Sequence, residues 1–108
     1  MTDLASLIAE RTKNYGEFYP IAEASQELKS AVKHYVYERD LKLAPDQTEA
    51  LDMICHKMAR IINGDPDYID SWDDIAGYAR LVADRLRKDR KDGIKKSNVI
   101  QLQQGGND

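Results

Sequence analysis

Apolar side chains recur every three or four residues in four separate stretches of the chain, which is the period of an amphipathic helix. Leu4, Leu7 and Ile8, with Arg11, mark the first stretch. Thr2 is a residue type suited to cap its start, and Gly16 tolerates the backbone turn that ends it. Leu28, Ala31, Val32 and Tyr35 stripe a second helix running from Ile21 to about Glu38, a span without Gly or Pro. Between the two, Tyr15-Gly16-Glu17-Phe18-Tyr19-Pro20 reads as a connector, punctuated by Gly and Pro and carrying three aromatics with large contact area.

Leu41 to Pro45 forms the next connector, and Pro45 suits the first position of a third helix whose early acids Asp46 and Glu49 complement the helix dipole. Leu51, Ile54, Met58, Ile61 and Ile62 make its stripe, and Asn63-Gly64-Asp65-Pro66 stops it. Asp70 or Ser71 caps a fourth helix with Trp72, Ile75, Ala79, Val82 and Leu86 in helical register. Gly77 stands inside that helix at a cost of about 1 kcal/mol relative to Ala, so a close neighbour is expected there. The pattern predicts an all-α fold, a compact four-helix antiparallel bundle over 1–91, followed by a mobile basic tail over 92–108.

The length of 108 residues allows one core and excludes a separate cofactor domain. A net charge of -3 argues against a surface built to coat nucleic acid, so any anion site has to be local. Cys55 is the only cysteine, the residues after Met1 lack the basic and apolar segments of a secretory signal, and no apolar run approaches the ~20 residues needed to span a bilayer. A cytoplasmic protein without a membrane role is expected. From Arg85 to Lys96 basic residues alternate with Asp89 and Asp92, a pattern typical of a solvated helix end.

Candidate chemistry concentrates between His56 and Tyr78. Lys57 and Arg60 stand three apart on a helix, where they can hold a phosphate together, and Asn63 follows one turn later. Asp70 and Asp74, four apart, can share a divalent cation through oxygen ligands. The competing reading of this set is an ion-pair network across the helix corner. Tyr15, Trp72 and Tyr78 are candidates to stack on a base. Glu23 and Glu27, with Glu49 and Asp52, are further carboxylates at helical spacing that could line a metal site in a bundle. Cys55 and His56 are adjacent and diverge on a helix, so with His34 they make no zinc site.

Read together, Tyr15-Gly16-Glu17-Phe18, Lys57-Met58-Ala59-Arg60-Ile61, Asn63-Gly64-Asp65-Pro66 and Asp70-Ser71-Trp72-Asp73-Asp74-Ile75-Ala76-Gly77-Tyr78 resemble a family of small helical domains of tailed bacteriophages and prophages. The resemblance covers roughly residues 5 to 87 and implies a phage origin and a helical fold, with no reaction attached. A more distant similarity is to the all-α nucleoside triphosphate pyrophosphohydrolases of the MazG type, which implies Mg²⁺ held by paired acidic motifs. Glu49-x-x-Asp52 keeps the spacing of that family's second motif, whereas Glu23 and Glu27 are four apart where its first motif has Glu-x-x-Glu.

Three functions are therefore expected in order. The first is capture of a nucleotide or nucleotide-derived signal, with sequestration countering a host defence. The second is Mg²⁺-dependent pyrophosphohydrolysis drawing on Glu23, Glu27, Glu49, Asp52, Asp70 and Asp74. The third is protein docking through the Tyr15 to Tyr19 segment and the fourth helix. A homo-oligomer is expected throughout, because a chain of this size often completes its core by self-association.

Overall fold

The computed structural model describes residues 3–104, with side chains described as far as residue 93. The fold is all-α: α1 spans Leu4–Tyr15, α2 Phe18–Glu38, α3 Pro45–Asn63 and α4 Ile69–Gln104. The middle helix of the layer is α3, which packs against α2 on one side and α4 on the other and also meets α1. Asp46 pairs with Arg85 and Lys57 with Asp74, in opposite chain order, so α3 and α4 run antiparallel. At 1.5 Å per residue the 36 residues of α4 outreach the 19 of α3 by roughly 25 Å. The far end of α4 therefore projects past the bundle, and the overall extents are 71 × 38 × 22 Å. The expected tail over 92–108 falls mostly where side chains lie outside the described residues.

Local chemistry explains where each helix begins. Asp3, rather than Thr2, caps α1, its carboxylate accepting a hydrogen bond from the Ser6 backbone N–H at 2.8 Å. That bond holds the Asp3 carboxyl below the usual carboxylate range. Helix α2 starts at Phe18, three residues before the expected Ile21, which leaves Gly16 and Glu17 as the connector. Pro20 is accommodated because it sits in the first turn, where a backbone N–H has no intrahelical acceptor. The third helix starts at Pro45 as its sequence predicts, and the Gln47 side chain accepts from the Ala44 N–H at 2.8 Å.

Ile21, Ala50, Cys55, Ala59 and Ile61 form the buried apolar core, joined by Ser25, Lys57 and Ser71. Several residues of the expected stripes remain exposed, among them Leu4, Leu7 and Ile8 on α1, Tyr35 on α2, Met58 and Ile62 on α3, and Trp72 and Leu86 on α4. Gly77 also departs from expectation, because a Cβ built there would meet nothing within 4 Å.

A two-pronged ion pair ties α4 to the start of α3: Arg85 donates from Nε to Asp46 Oδ2 at 2.9 Å and from Nη2 to Oδ1 at 2.6 Å. The guanidinium holds the Asp46 carboxyl below its ordinary range. A carboxyl with a depressed folded-state value stabilises the fold above its unfolded value and loses that contribution as pH falls through the folded one. Acid should accordingly loosen this end of the bundle. Urea midpoints measured at pH 7 and pH 3 are expected to differ less in Asp46→Asn than in the parent.

Candidate functional site

The residues of the Tyr-Gly and Asn-Gly-Asp-Pro motifs meet in space. The end of α1 crosses the end of α3 backbone to backbone, with the Asp65 N–H donating to the Asn14 carbonyl at 3.0 Å. A Cβ on Gly16 would overlap the Asn63 carbonyl, and one on Gly64 would lie 2.7 Å from both the Asn14 oxygen and the Gly16 nitrogen. Only a residue without a side chain fits at either place. Asn63, a candidate ligand residue, turns back on its own helix, its Nδ2 donating to the Ala59 carbonyl at 2.8 Å.

This crossing builds an aromatic corner. The Arg60 guanidinium lies 4.4 Å from the centre of the Tyr15 ring, and Tyr68 meets Tyr15 edge to face at 5.3 Å. The Tyr15 hydroxyl and the Asp70 carboxylate push the Tyr68 phenol up to about 12, because both favour its protonated form. His56 is pushed down by burial and by the cations Arg60, Lys29 and Lys57 around it.

Beside the corner, Arg11, Thr12, Tyr15, Phe18, Ile21 and Arg60 line a hollow of about 210 Å³ together with Ile8 and Gly16. Two arginine side chains thus border one concavity with aromatic and aliphatic walls. Among the described residues neither Arg11 nor Arg60 forms a salt bridge. Stacking on Tyr15 occupies the face of the Arg60 guanidinium and leaves the in-plane N–H donors available.

Comparison with protein-family models, curated proteins and solved structures returned no match.

The structure brings Tyr15 and Arg60 together, with Asn63 at the same crossing and Asp70 beside Tyr68. Lys57 faces α4 instead of sharing a phosphate with Arg60: its Nζ lies 3.1 Å from Asp74 Oδ2, and its side chain is 11% exposed. Asp74 is therefore paired with Lys57, while Asp70 stands beside Tyr68, so the two do not converge on one cation. Trp72 donates from Nε1 to the Pro66 carbonyl at 2.8 Å. Tyr78 lies along α4 beside Asp73, Asp74 and Arg80. Glu23, Glu27 and Glu49 are exposed and Asp52 is half-buried. Among the described residues no three acidic, histidine or cysteine side chains gather in a metal-binding cluster. Nor, among those residues, is any helix long and apolar enough to cross a membrane.

Arg11 and Thr12 are not among the site residues the sequence suggests, and Phe18 is there only as part of the Tyr15 to Tyr19 docking segment. Arg11 carried a signal, since it continues the apolar stripe of Leu4, Leu7 and Ile8, where a lone cation is out of place. Phe18 carried one too, as part of an aromatic-rich segment, but its position over the hollow depends on the crossing of α1 with α3.

Proposed function

We propose that the protein binds a nucleotide-type anion in the hollow between α1, the start of α2 and the C-terminal half of α3. Arg11 and Arg60 take the phosphate, while Tyr15 and Phe18 contact the sugar or base. The observation that carries this reading is the pair of arginine side chains lining one aromatic-walled concavity, neither with a carboxylate partner among the described residues. Like charges gathered in this way repel, and a bound anion removes that repulsion while gaining charge-assisted hydrogen bonds. At about 210 Å³ the hollow is smaller than the ~300 Å³ lower end of drug-sized pockets, so it suits a phosphate with part of its nucleoside, the rest lying on the surface.

Equilibrium dialysis against linear and cyclic nucleotides tests the reading, with chromatography of the free fraction and of the fraction released by denaturation. Intact ligand is expected in the released fraction. Arg11→Gln and Arg60→Gln should each weaken retention about tenfold or more, as loss of one charged hydrogen-bond partner does. Retention that survives both substitutions would reject the hollow as the site, and a new product peak would replace capture by catalysis.

A further inference from the structure

The side of the layer formed by α3 and α4 leaves a continuous apolar surface open. On α3 it shows Leu51, Met58 and Ile62, the last 69% exposed. Next to them Leu51 and Ile54 of α3, with Ala79 and Val82 of α4, line a hollow of about 310 Å³. Along α4 the surface continues through residues 72, 76, 79, 83 and 86, spaced alternately four and three apart, the seam spacing of paired helices. The order of these residues is Trp, Ala, Ala, Ala, Leu, large at both ends and small in the middle. Trp72 is 54% exposed although its Nε1 is fixed to the Pro66 carbonyl, which holds an indole out toward solvent.

We propose that this face is covered by a second copy of the chain, with the two α4 helices antiparallel across a two-fold axis at Ala79. The series is self-complementary in that orientation. Trp72 of one copy falls over Leu86 of the other, and Ala76 and Ala83 lie on either side of the axis, so bulky ends meet and the small centre lets the backbones approach. Charge agrees: Asp73 flanks one end of the stripe and Arg87, which reaches Asp84 within its own helix, the other, and the two-fold brings each Asp73 to within about two residues of the opposite Arg87 along the helix.

Sedimentation equilibrium of the full chain, with the fluorescence of its only tryptophan followed on dilution, tests the proposal. The expected mass is twice the 12.3 kDa of one chain, with a Trp72 emission shift to the red as the dimer dissociates. Ala79→Glu places a charge at the two-fold and should weaken association at least tenfold while circular dichroism keeps its helical signal. Leu81→Glu, on the opposite flank of α4, should leave association unchanged. Asp73→Arg and Arg87→Asp should each weaken the dimer, and combining them should restore it. A monomer at 100-fold the working concentration, a dimer indifferent to Ala79→Glu, or a charge exchange without rescue would overturn the assignment. Nucleotide retention depends on Arg11 and Arg60 and is read separately, so failure of either idea leaves the other standing.

Discussion

Gly16→Ala is expected to detach α1 and leave the α2–α3 and α3–α4 hairpins folded. Gly16 has φ 89° and ψ 178°, a combination open in practice only to glycine and worth of order 1–3 kcal/mol of strain for another residue. The added methyl would also overlap the Asn63 carbonyl, a backbone atom of the adjoining helix with no free rotation to yield. Strain and overlap together amount to roughly 2–4 kcal/mol, the range of a disrupted special backbone position. That exceeds what α1 has to oppose it, because no residue of α1 is buried. Local release is therefore the cheaper response than global unfolding. Hydrogen exchange should show α1 amides losing protection while those of α3 keep theirs. Gly64→Ala attacks the same crossing from the other side and should give the same exchange pattern. Since α1 supplies Arg11 and Tyr15 to the hollow, either substitution should also abolish nucleotide retention. Protected α1 amides in both variants would show that the crossing does not hold α1.

The helices were largely legible because each is amphipathic within its own sequence. Helix α3 is the clearest case: Pro45 opens it and Asn63-Gly64 closes it, and both signals are local. Three starts differ from the pattern: α4 begins at Ile69, ahead of its expected cap Asp70 or Ser71, and the other two have equally local reasons. Asp3 offers a carboxylate in capping position next to Thr2, and Pro20 is tolerated in a first turn although it resembles a break. Periodicity reports that a helix has an apolar face but does not name its partner. Hence Leu4, Leu7 and Ile8 are exposed, while the crowded positions of α3 include the small Ala50 and Ala59. The crossing of Gly16 with Gly64 was invisible in the same way. Each glycine reads as punctuation alone, and only the tertiary path shows that the two need each other. The sequence groups Lys57 and Arg60 at one polar corner, and the structure divides them between two partners. Nothing local tells Lys57 to face α4 and Arg60 to face Tyr15.

That partition leads to opposite expectations for the two halves of one ion pair. Lys57 is 9% exposed as a residue, and its ammonium lies beside a carboxylate that is half open to solvent. Removing Asp74 leaves a cation that water reaches poorly. Breaking a buried pair typically costs about 3–5 kcal/mol, and the exposure of Asp74 reduces this, so Asp74→Ala should destabilise by about 2 kcal/mol. Lys57→Met removes the charge and keeps the length and most of the apolar stem, so no uncompensated buried ion remains. Its cost should stay within about 1 kcal/mol, and Asp74→Ala added to Lys57→Met should cost little more. Urea unfolding of the four members of this cycle measures the coupling directly. Nucleotide retention supplies the second readout: Lys57→Met should retain ligand as the parent does, whereas Arg60→Gln should not. Loss of retention in Lys57→Met with stability unchanged would return Lys57 to the ligand and undo the division of labour between the two cations.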